Sequence, residues 1–135
     1  MASKRWAPMC LVLLVCLGPA GRVWGDEAPP PLKHGRVSGQ GEVLAGPNGM
    51  TLYTFANDKE PGKSACTGQC VQNWPPAKPE ANAPEPKAPL SLITRDDGSK
   101  QYAYKGKPLY YYAKDEKRGD AKGHGLGNAW AVAKP

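Results

Sequence analysis

Short runs of apolar and aromatic residues, separated by glycine and proline, recur along the chain. In Met50–Ala56, Tyr53 and Phe55 share one face by the period of two that a strand imposes, and Leu52 and Thr54 share the other. After the predicted signal peptide, no segment keeps the 3.6-residue apolar period of an amphipathic helix. The pattern therefore predicts short β-strands joined by turns.

The same alternation, with the turn residues between the runs, predicts further strands. Asn48-Gly49 and Asp96-Asp97-Gly98 are hairpin signals, because asparagine, aspartate and glycine tolerate positive φ. We expect an all-β fold, a small antiparallel domain of about seven short strands. The predicted strands include Glu42–Ala45, Met50–Ala56, Leu90–Arg95, Gln101–Lys105, Leu109–Ala113 and Ala129–Ala133.

A motif in the first half of the chain is repeated in the second half. Such self-similarity points to repeated structural units. We predict two pseudo-symmetric repeats, 35–76 and 90–135, joined by a proline-rich connector, 77–89, and sharing one core across an approximate two-fold axis. Leu52, Tyr53, Phe55, Asp58 and Gly62 match Leu109, Tyr110, Tyr112, Asp115 and Gly119 at a constant offset of 57 residues, as from Leu52 to Leu109, and Trp74 matches Trp130 one residue out of step.

The N-terminus has the features of a secretory signal peptide over residues 1–25. Lys4 and Arg5 precede the apolar run Met9–Leu17, which is too short to span a bilayer. Residues 26–34 read as a proline-rich tether. We therefore predict an exported protein, periplasmic or secreted, with no transmembrane segment in the mature chain. Lipid anchoring stays open, although Val15 before Cys16 makes a poor lipobox.

The charge of the chain gives no indication of nucleic-acid binding. The net charge of +6 falls to +3 once Lys4, Arg5 and Arg22 leave with the signal peptide. The remaining lysines alternate with acids, whereas a nucleic-acid surface clusters its cations. The partner is unknown, and an envelope protein is one candidate.

Cys66 and Cys70 are the cysteines that remain after signal-peptide removal. In an oxidising compartment, a disulfide is the simplest prediction. Two alternatives stay open: thiol redox exchange, and a copper site, because C-x-x-x-C resembles the spacing of some exported copper chaperones and His124 could be a third ligand. Covalent haem is disfavoured, because Val71 rather than histidine follows Cys70.

The repeated motif resembles the signature of a known family. Tyr53-x-Phe55-x-x-Asp58 and Tyr110-x-Tyr112-x-x-Asp115 are similar to the Y-x-[FWY]-x-x-D motif of the secreted-repeat family of predicted lipoproteins. The resemblance extends to Trp74-Pro75-Pro76 and to Tyr104-x-Gly106-x-Pro108-Leu109-Tyr110. That family has no known function, so the resemblance implies architecture and export but no chemistry.

The repeated acids and aromatics have two interpretations each. Asp58 and Asp115 could form a catalytic carboxylate pair, but we favour a role in shaping the turn after each strand. The repeated tyrosines and Phe55 are expected in the core, whereas Tyr111 is expected to be exposed. A candidate binding surface consists of Trp74, Tyr111 and Trp130.

These observations favour an exported, non-enzymatic β-repeat module with a structural or ligand-binding role and no cofactor. No nucleophile–base pair or phosphate loop is visible. The alternative is a metal (copper or haem) or thiol-redox accessory protein that uses Cys66, Cys70 and His124.

Overall fold

The computed structural model describes residues 28–135. The predicted signal peptide and the first two residues of the predicted tether lie outside this range. The described part confirms the all-β antiparallel class, and it contains no helix long and apolar enough to cross a membrane. Its elements are β1 Lys33–Val37, β2 Gly41–Ala45, β3 Tyr53–Phe55, α1 Gln69–Asn73, β4 Leu90–Thr94, β5 Lys100–Tyr104, β6 Lys107–Pro108, a 3₁₀ turn Leu126–Asn128, and β7 Trp130–Val132.

Two β-hairpins occupy equivalent places in the two repeats. β1 runs antiparallel to β2, with Lys33 opposite Ala45, and β4 runs antiparallel to β5, with Leu90 opposite Tyr104. β6 extends the second hairpin to three strands, and β3 pairs with β7 in a third small sheet.

Both predicted turns are formed. Asp97 Oδ1 accepts hydrogen bonds from the N–H (2.9 Å) and the hydroxyl (2.6 Å) of Ser99, and Asn48 Oδ1 accepts one from the N–H of Met50 at 2.9 Å. These bonds are the local contacts that make aspartate and asparagine common in turns. Gly98 has a φ of 87°, which a residue without a Cβ adopts at little cost.

The last strand of the second repeat pairs with the first repeat. Tyr53 in β3 lies opposite Val132 in β7. Beyond that pair, Ala133 donates its N–H to Leu52 O at 2.8 Å, Leu52 donates to Leu44 O at 3.0 Å, and Leu44 donates back to Ala133 O at 2.8 Å. This closed triangle of backbone hydrogen bonds joins the C-terminal end of one repeat to two segments of the other.

An equivalent triangle of backbone hydrogen bonds joins the end of the first repeat to two segments of the second. Ala77 donates its N–H to Leu109 O at 2.9 Å, Leu109 donates to Tyr102 O at 2.9 Å, and Tyr102 donates back to Ala77 O at 2.8 Å. Between the two triangles, Tyr53 and Tyr110 exchange backbone hydrogen bonds of 2.8 and 3.0 Å. The repeats are thus interlocked about an approximate two-fold axis, and each completes the other's sheet.

Two apolar clusters form the core. The first is built on leucines and tyrosines of both hairpins, and the second gathers the repeated aromatic residues with Cys66. A separate core in each repeat would be too small to be stable, and the interlocking gives both repeats a common interior. The first cluster includes Leu32, Leu44, Leu52, Leu90, Tyr102 and Leu109; the second includes Val43, Tyr53, Cys66, Trp74, Tyr110, Trp130 and Val132.

The elements differ from the prediction in several places, and the following are the main ones. β1 begins at Lys33, inside the predicted tether, and Leu32 before it is buried. Ala77, predicted to begin the connector, is buried in the core. The predicted strand Leu109–Ala113 is reduced to bridges at Tyr110. Helix α1 was not predicted, because five residues are too few to show a helical period.

Equivalent core leucines provide a test of the two-fold fold. Leu52→Ala and Leu109→Ala each remove a fully buried side chain at matching positions. We expect each to lower the free energy of unfolding by about 2–5 kcal/mol and by similar amounts. Leu126→Ala, at an exposed leucine, should change it by about 0.5 kcal/mol or less. Chemical denaturation measures all three. A large loss at one core leucine and almost none at the other would contradict the shared core.

Candidate functional site

The repeated tyrosine and aspartate of the motif bond across the repeats. Tyr53 donates its hydroxyl to Asp115 Oδ2 at 2.6 Å, and Tyr110 donates its hydroxyl to Asp58 Oδ2 at 2.7 Å. Each tyrosine therefore bonds the aspartate of the other repeat, not the one five residues further along its own strand and loop. Hydrogen bonds to a carboxylate are among the stronger ones in proteins.

The second oxygen of each aspartate holds its own loop. Asp58 Oδ1 accepts the N–H of Ala65 at 2.6 Å, and Asp115 Oδ1 accepts the N–H of Lys122 at 2.9 Å. Both aspartates thus shape the loop after their strand, which is the role that the sequence favoured. The structure does not bring the two carboxylates onto a common group, so the alternative of a shared acid–base pair receives no support.

The other aromatic residues of the motif form a four-ring column. Trp74 and Trp130 stack in parallel at 3.7 Å across the two-fold axis. Phe55 stacks on the outer face of Trp130 at 4.0 Å, and Tyr112 stacks on the outer face of Trp74 at 4.3 Å. Again each ring of one repeat rests on a ring of the other.

This column corrects the predicted binding surface. Trp74 and Trp130 are only 6% and 8% exposed, and each indole has a stacked ring on both faces, so neither offers a face to a ligand.

Tyr111, predicted to be exposed, is partly buried against the first core cluster, and burial raises its pKa to about 12. Its hydroxyl approaches the backbone of Gly46, where a Cβ would clash.

The two-fold symmetry breaks at the loop after β3. Ser64 Oγ lies 2.6 Å from the Tyr110 hydroxyl and accepts a 3.1 Å hydrogen bond from Arg95 Nη1. In the second repeat, the position that matches Ser64 holds Ala121. In the first repeat, the position that matches Arg95, directly after the strand, holds Ser38. This polar contact joins Ser64 of the first repeat to Arg95 of the second, and the matching residue pair, Ala121 and Ser38, cannot form it.

Arg95 links the cluster to buried groups. It is 9% exposed, donates Nη1 to Gln101 Oε1 at 2.6 Å and donates Nη2 to the carbonyl of Cys66 at 2.7 Å. Gln101 is fully buried and donates its amide to Leu109 O at 2.8 Å. Among the described residues, no carboxylate lies within ion-pair distance of Arg95, so its hydrogen bonds in this cluster go to uncharged acceptors.

A pocket of about 460 Å³ lies over this cluster. Its wall carries both signs of charge and several hydroxyl groups. The residues of the wall come from the loop after β3, from the end of β4 and from the turn that follows it. They are Asn57, Asp58, Lys59, Glu60, Gly62, Lys63, Ser64, Ala65, Thr67, Thr94, Arg95 and Asp96. We call this space the first-loop pocket.

Burial is the main cause of the pKa shifts of Asp58 and of the two tyrosines that bond across the repeats. It raises the pKa of Asp58 above its usual value, although the Ala65 N–H, the Tyr110 hydroxyl and the charge of Arg95 each favour the carboxylate. Burial also raises the pKa of the Tyr53 and Tyr110 phenols, and the aspartate that each one contacts raises it further. Both phenols are therefore protonated at neutral pH and act as hydrogen-bond donors.

The predicted disulfide is present beside the pocket. Cys66 and Cys70 are joined with an S–S distance of 2.02 Å, and α1, which begins at Gln69, carries the second cysteine. Two sulfurs bonded to each other offer no thiolate to copper. His124, the third ligand of the metal alternative, instead accepts the N–H of Val132 at Nδ1, at 3.1 Å. Within residues 28–135, no group of three or more metal-ligating side chains is assembled.

The polar cluster includes residues that the sequence did not identify as a site. Ser64, Arg95 and Gln101 come from different segments, and no spacing rule brings them together. One signal was available: Ser64 and Arg95 stand at places where the other copy of the repeat has Ala121 and Ser38. A residue that differs between otherwise matched repeats is a candidate for a function that only one of the repeats has.

The fold and the site define a small all-β module of two interlocked repeats, with a polar pocket where the loop after β3 meets the end of β4 and the turn that follows it. Residues 36–78 and 91–134 both match a family described as a secreted repeat of unknown function. The chain therefore belongs to this family of secreted repeats, which confirms the resemblance and agrees with export. No curated protein and no solved structure matches the chain.

The tyrosine hydroxyls that cross the repeats are expected to stabilise the fold. Tyr53→Phe or Tyr110→Phe leaves an aspartate with one partner fewer, and we expect a loss of about 1–3 kcal/mol in the free energy of unfolding for each. The control is Tyr104→Phe, because the Tyr104 hydroxyl is buried without a hydrogen-bond partner among the described residues. Its removal should leave stability unchanged or slightly higher. Equal losses at Tyr53 and Tyr104 in urea denaturation would contradict the assignment.

Proposed function

We propose that this protein is an exported, non-enzymatic binding module and that a small polar ligand occupies the first-loop pocket. One observation carries the proposal. The residues shared by the two repeats are engaged in joining them, whereas Ser64 of the first repeat and Arg95 of the second, whose matching positions hold Ala121 and Ser38, meet at the floor of a pocket. Pockets with a few convergent polar groups are the usual form of small-molecule sites.

The chemistry of the pocket wall favours a ligand with both charges. Lys59, Lys63 and Arg95 supply cations, and Asp58, Glu60 and Asp96 supply carboxylates. A guanidinium has five N–H donors, of which Arg95 uses three in the bonds described above. A ligand carboxylate would complete the planar fork of Arg95, and an ammonium group would match the acids opposite.

The arrangement around Ser64 supports binding rather than catalysis. A serine nucleophile needs an adjacent base to take its proton. The neighbour of Ser64 is the Tyr110 hydroxyl, whose raised pKa keeps it protonated at neutral pH, and its own proton goes to Asp58. Asp58 and Asp115 are each committed to a tyrosine and to a loop N–H, as a structural carboxylate would be.

The proposal includes no metal, haem or thiol chemistry. A copper or haem site that uses these two sulfurs would require the Cys66–Cys70 bond to open first. Thiol exchange would act on the disulfide itself, and no further observation favours either alternative. The compartment in this proposal is the periplasm or the cell exterior. An envelope protein that receives or supplies the ligand stays a prediction.

Amide NMR titration with three small probes tests the proposal. Glycine carries both charges, acetate carries the negative one alone, and methylammonium carries the positive one alone. We expect glycine to cause saturable shifts at Ser64, Ala65 and Arg95, with weaker effects from the two singly charged probes.

Two tryptophan variants of β4 give a matched comparison. Thr94→Trp fills the pocket mouth from an exposed position, whereas Ser91→Trp places the same ring elsewhere on the strand. The shifts should disappear in the first variant and persist in the second. If no probe moves these amides, or if both variants respond alike, a purely structural role replaces the binding proposal.

A further inference from the structure

The two repeats are held together without a covalent cross-link of their own. The disulfide lies inside the first repeat, and among the described residues the chain joins the repeats only through residues 78–89. This segment is mostly exposed, and its backbone hydrogen bonds are local or reach the neighbouring hairpin, as from Lys105 N to Pro89 O. The connector therefore tethers the repeats more than it builds the contact between them.

The contact itself has the features of a specific protein interface. It contains paired backbone hydrogen bonds at Tyr53 and Tyr110, two added strand segments, a buried stack of two indoles and two tyrosine–aspartate bonds. Aromatic anchors in a desolvated centre with reciprocal hydrogen bonds are typical of tight association. Each repeat alone presents an unpaired strand edge and a half-completed aromatic column to its partner.

The polar cluster makes this interface specific for a first repeat paired with a second repeat. Arg95 belongs to the second repeat, and its acceptors Ser64 and Cys66 belong to the first. A first repeat paired with another first repeat would place Ser38 where Arg95 stands, and the short serine side chain cannot supply these donors. The first repeat is thus shaped for a second repeat, not for a copy of itself.

We propose that the first and second repeats recognise each other as separate pieces, so that the second repeat of another copy of this chain can replace the native one. The partner of this surface is thus a second copy that exchanges its matching half, as in domain swapping. In the intact chain the short connector keeps the native half at a high effective concentration, which favours pairing within one molecule. Cutting the connector removes that preference.

A protease site inserted between Ala81 and Asn82, both exposed in the connector, tests the proposal on the folded full-length protein. After cleavage, we expect the two pieces to co-elute in size exclusion and to keep the near-ultraviolet dichroism of the stacked indoles. The melting temperature of the cut protein should rise with protein concentration, whereas that of the intact protein should not.

Exchange is measured by mixing cut protein of ordinary and heavy isotope content. Intact-complex mass spectrometry should show mixed complexes that approach a statistical ratio, each with one first and one second repeat. Arg95→Met should raise the dissociation constant of the cut pieces roughly 10- to 100-fold, because it removes charged hydrogen bonds across the interface. Lys100→Met is the control, since Lys100 contacts Thr94 within its own hairpin, and it should leave the constant unchanged.

Three results would overturn the inference. The cut pieces could separate or unfold at tens of micromolar, which would show that the connector holds the fold together. They could co-elute but never exchange with a second copy. Complexes of two first repeats could form as readily as complexes of a first with a second repeat, which would contradict the pairing specificity that Arg95 is proposed to give.

Discussion

The exchange of hydrogen bonds between a tyrosine of one repeat and an aspartate of the other is the constraint on which the structure depends. It fixes the two repeats side by side in one register, and the same register brings the indoles of Trp74 and Trp130 together. Neither repeat could bury its aromatic face alone. A chain with frequent proline and glycine, short strands and, in its described part, one short-range disulfide thus obtains a common core by interlocking two halves rather than by extending either.

This arrangement explains the spacing of the motif. In the first repeat, Tyr53 and Phe55 share a face of β3, so Tyr53 reaches Asp115 of the other repeat while Phe55 stacks on Trp130. In the second repeat, Tyr110 and Tyr112 make the matching contacts although that segment forms only bridges. The aspartate follows where the strand has ended, and its second oxygen is free to hold the loop. Every motif position therefore serves the joining of the repeats. The repeats differ around Ser64 and Arg95. The motif residues hold the loop that carries Ser64 in place, but they do not determine which residues that loop contains.

Much of the fold followed from the sequence, and the rest did not for identifiable reasons. The repeat, the turns at Asn48-Gly49 and Asp96-Asp97-Gly98, and the disulfide depend on local residue types, and they were predicted. β1 was missed because its residues Lys33-His34-Gly35-Arg36 are polar and mostly exposed, so they show no apolar alternation. Spacing alone could not tell whether Tyr53 bonds Asp58 or Asp115. The first-loop pocket could not be predicted from the sequence either, because Ser64 and Arg95 lie 31 residues apart and meet only through the interlocking of the repeats.

Double-mutant cycles test the crossed pairing most directly. Tyr53→Phe and Asp115→Asn, singly and together, give the coupling free energy of a pair that contacts across the repeats, and Tyr110→Phe with Asp58→Asn gives that of its counterpart. The crossed pairing predicts a coupling of about 0.5–3 kcal/mol for each of these pairs, and almost none for Tyr53 with Asp58 in the same repeat. Coupling within one repeat, with none across the repeats, would contradict it.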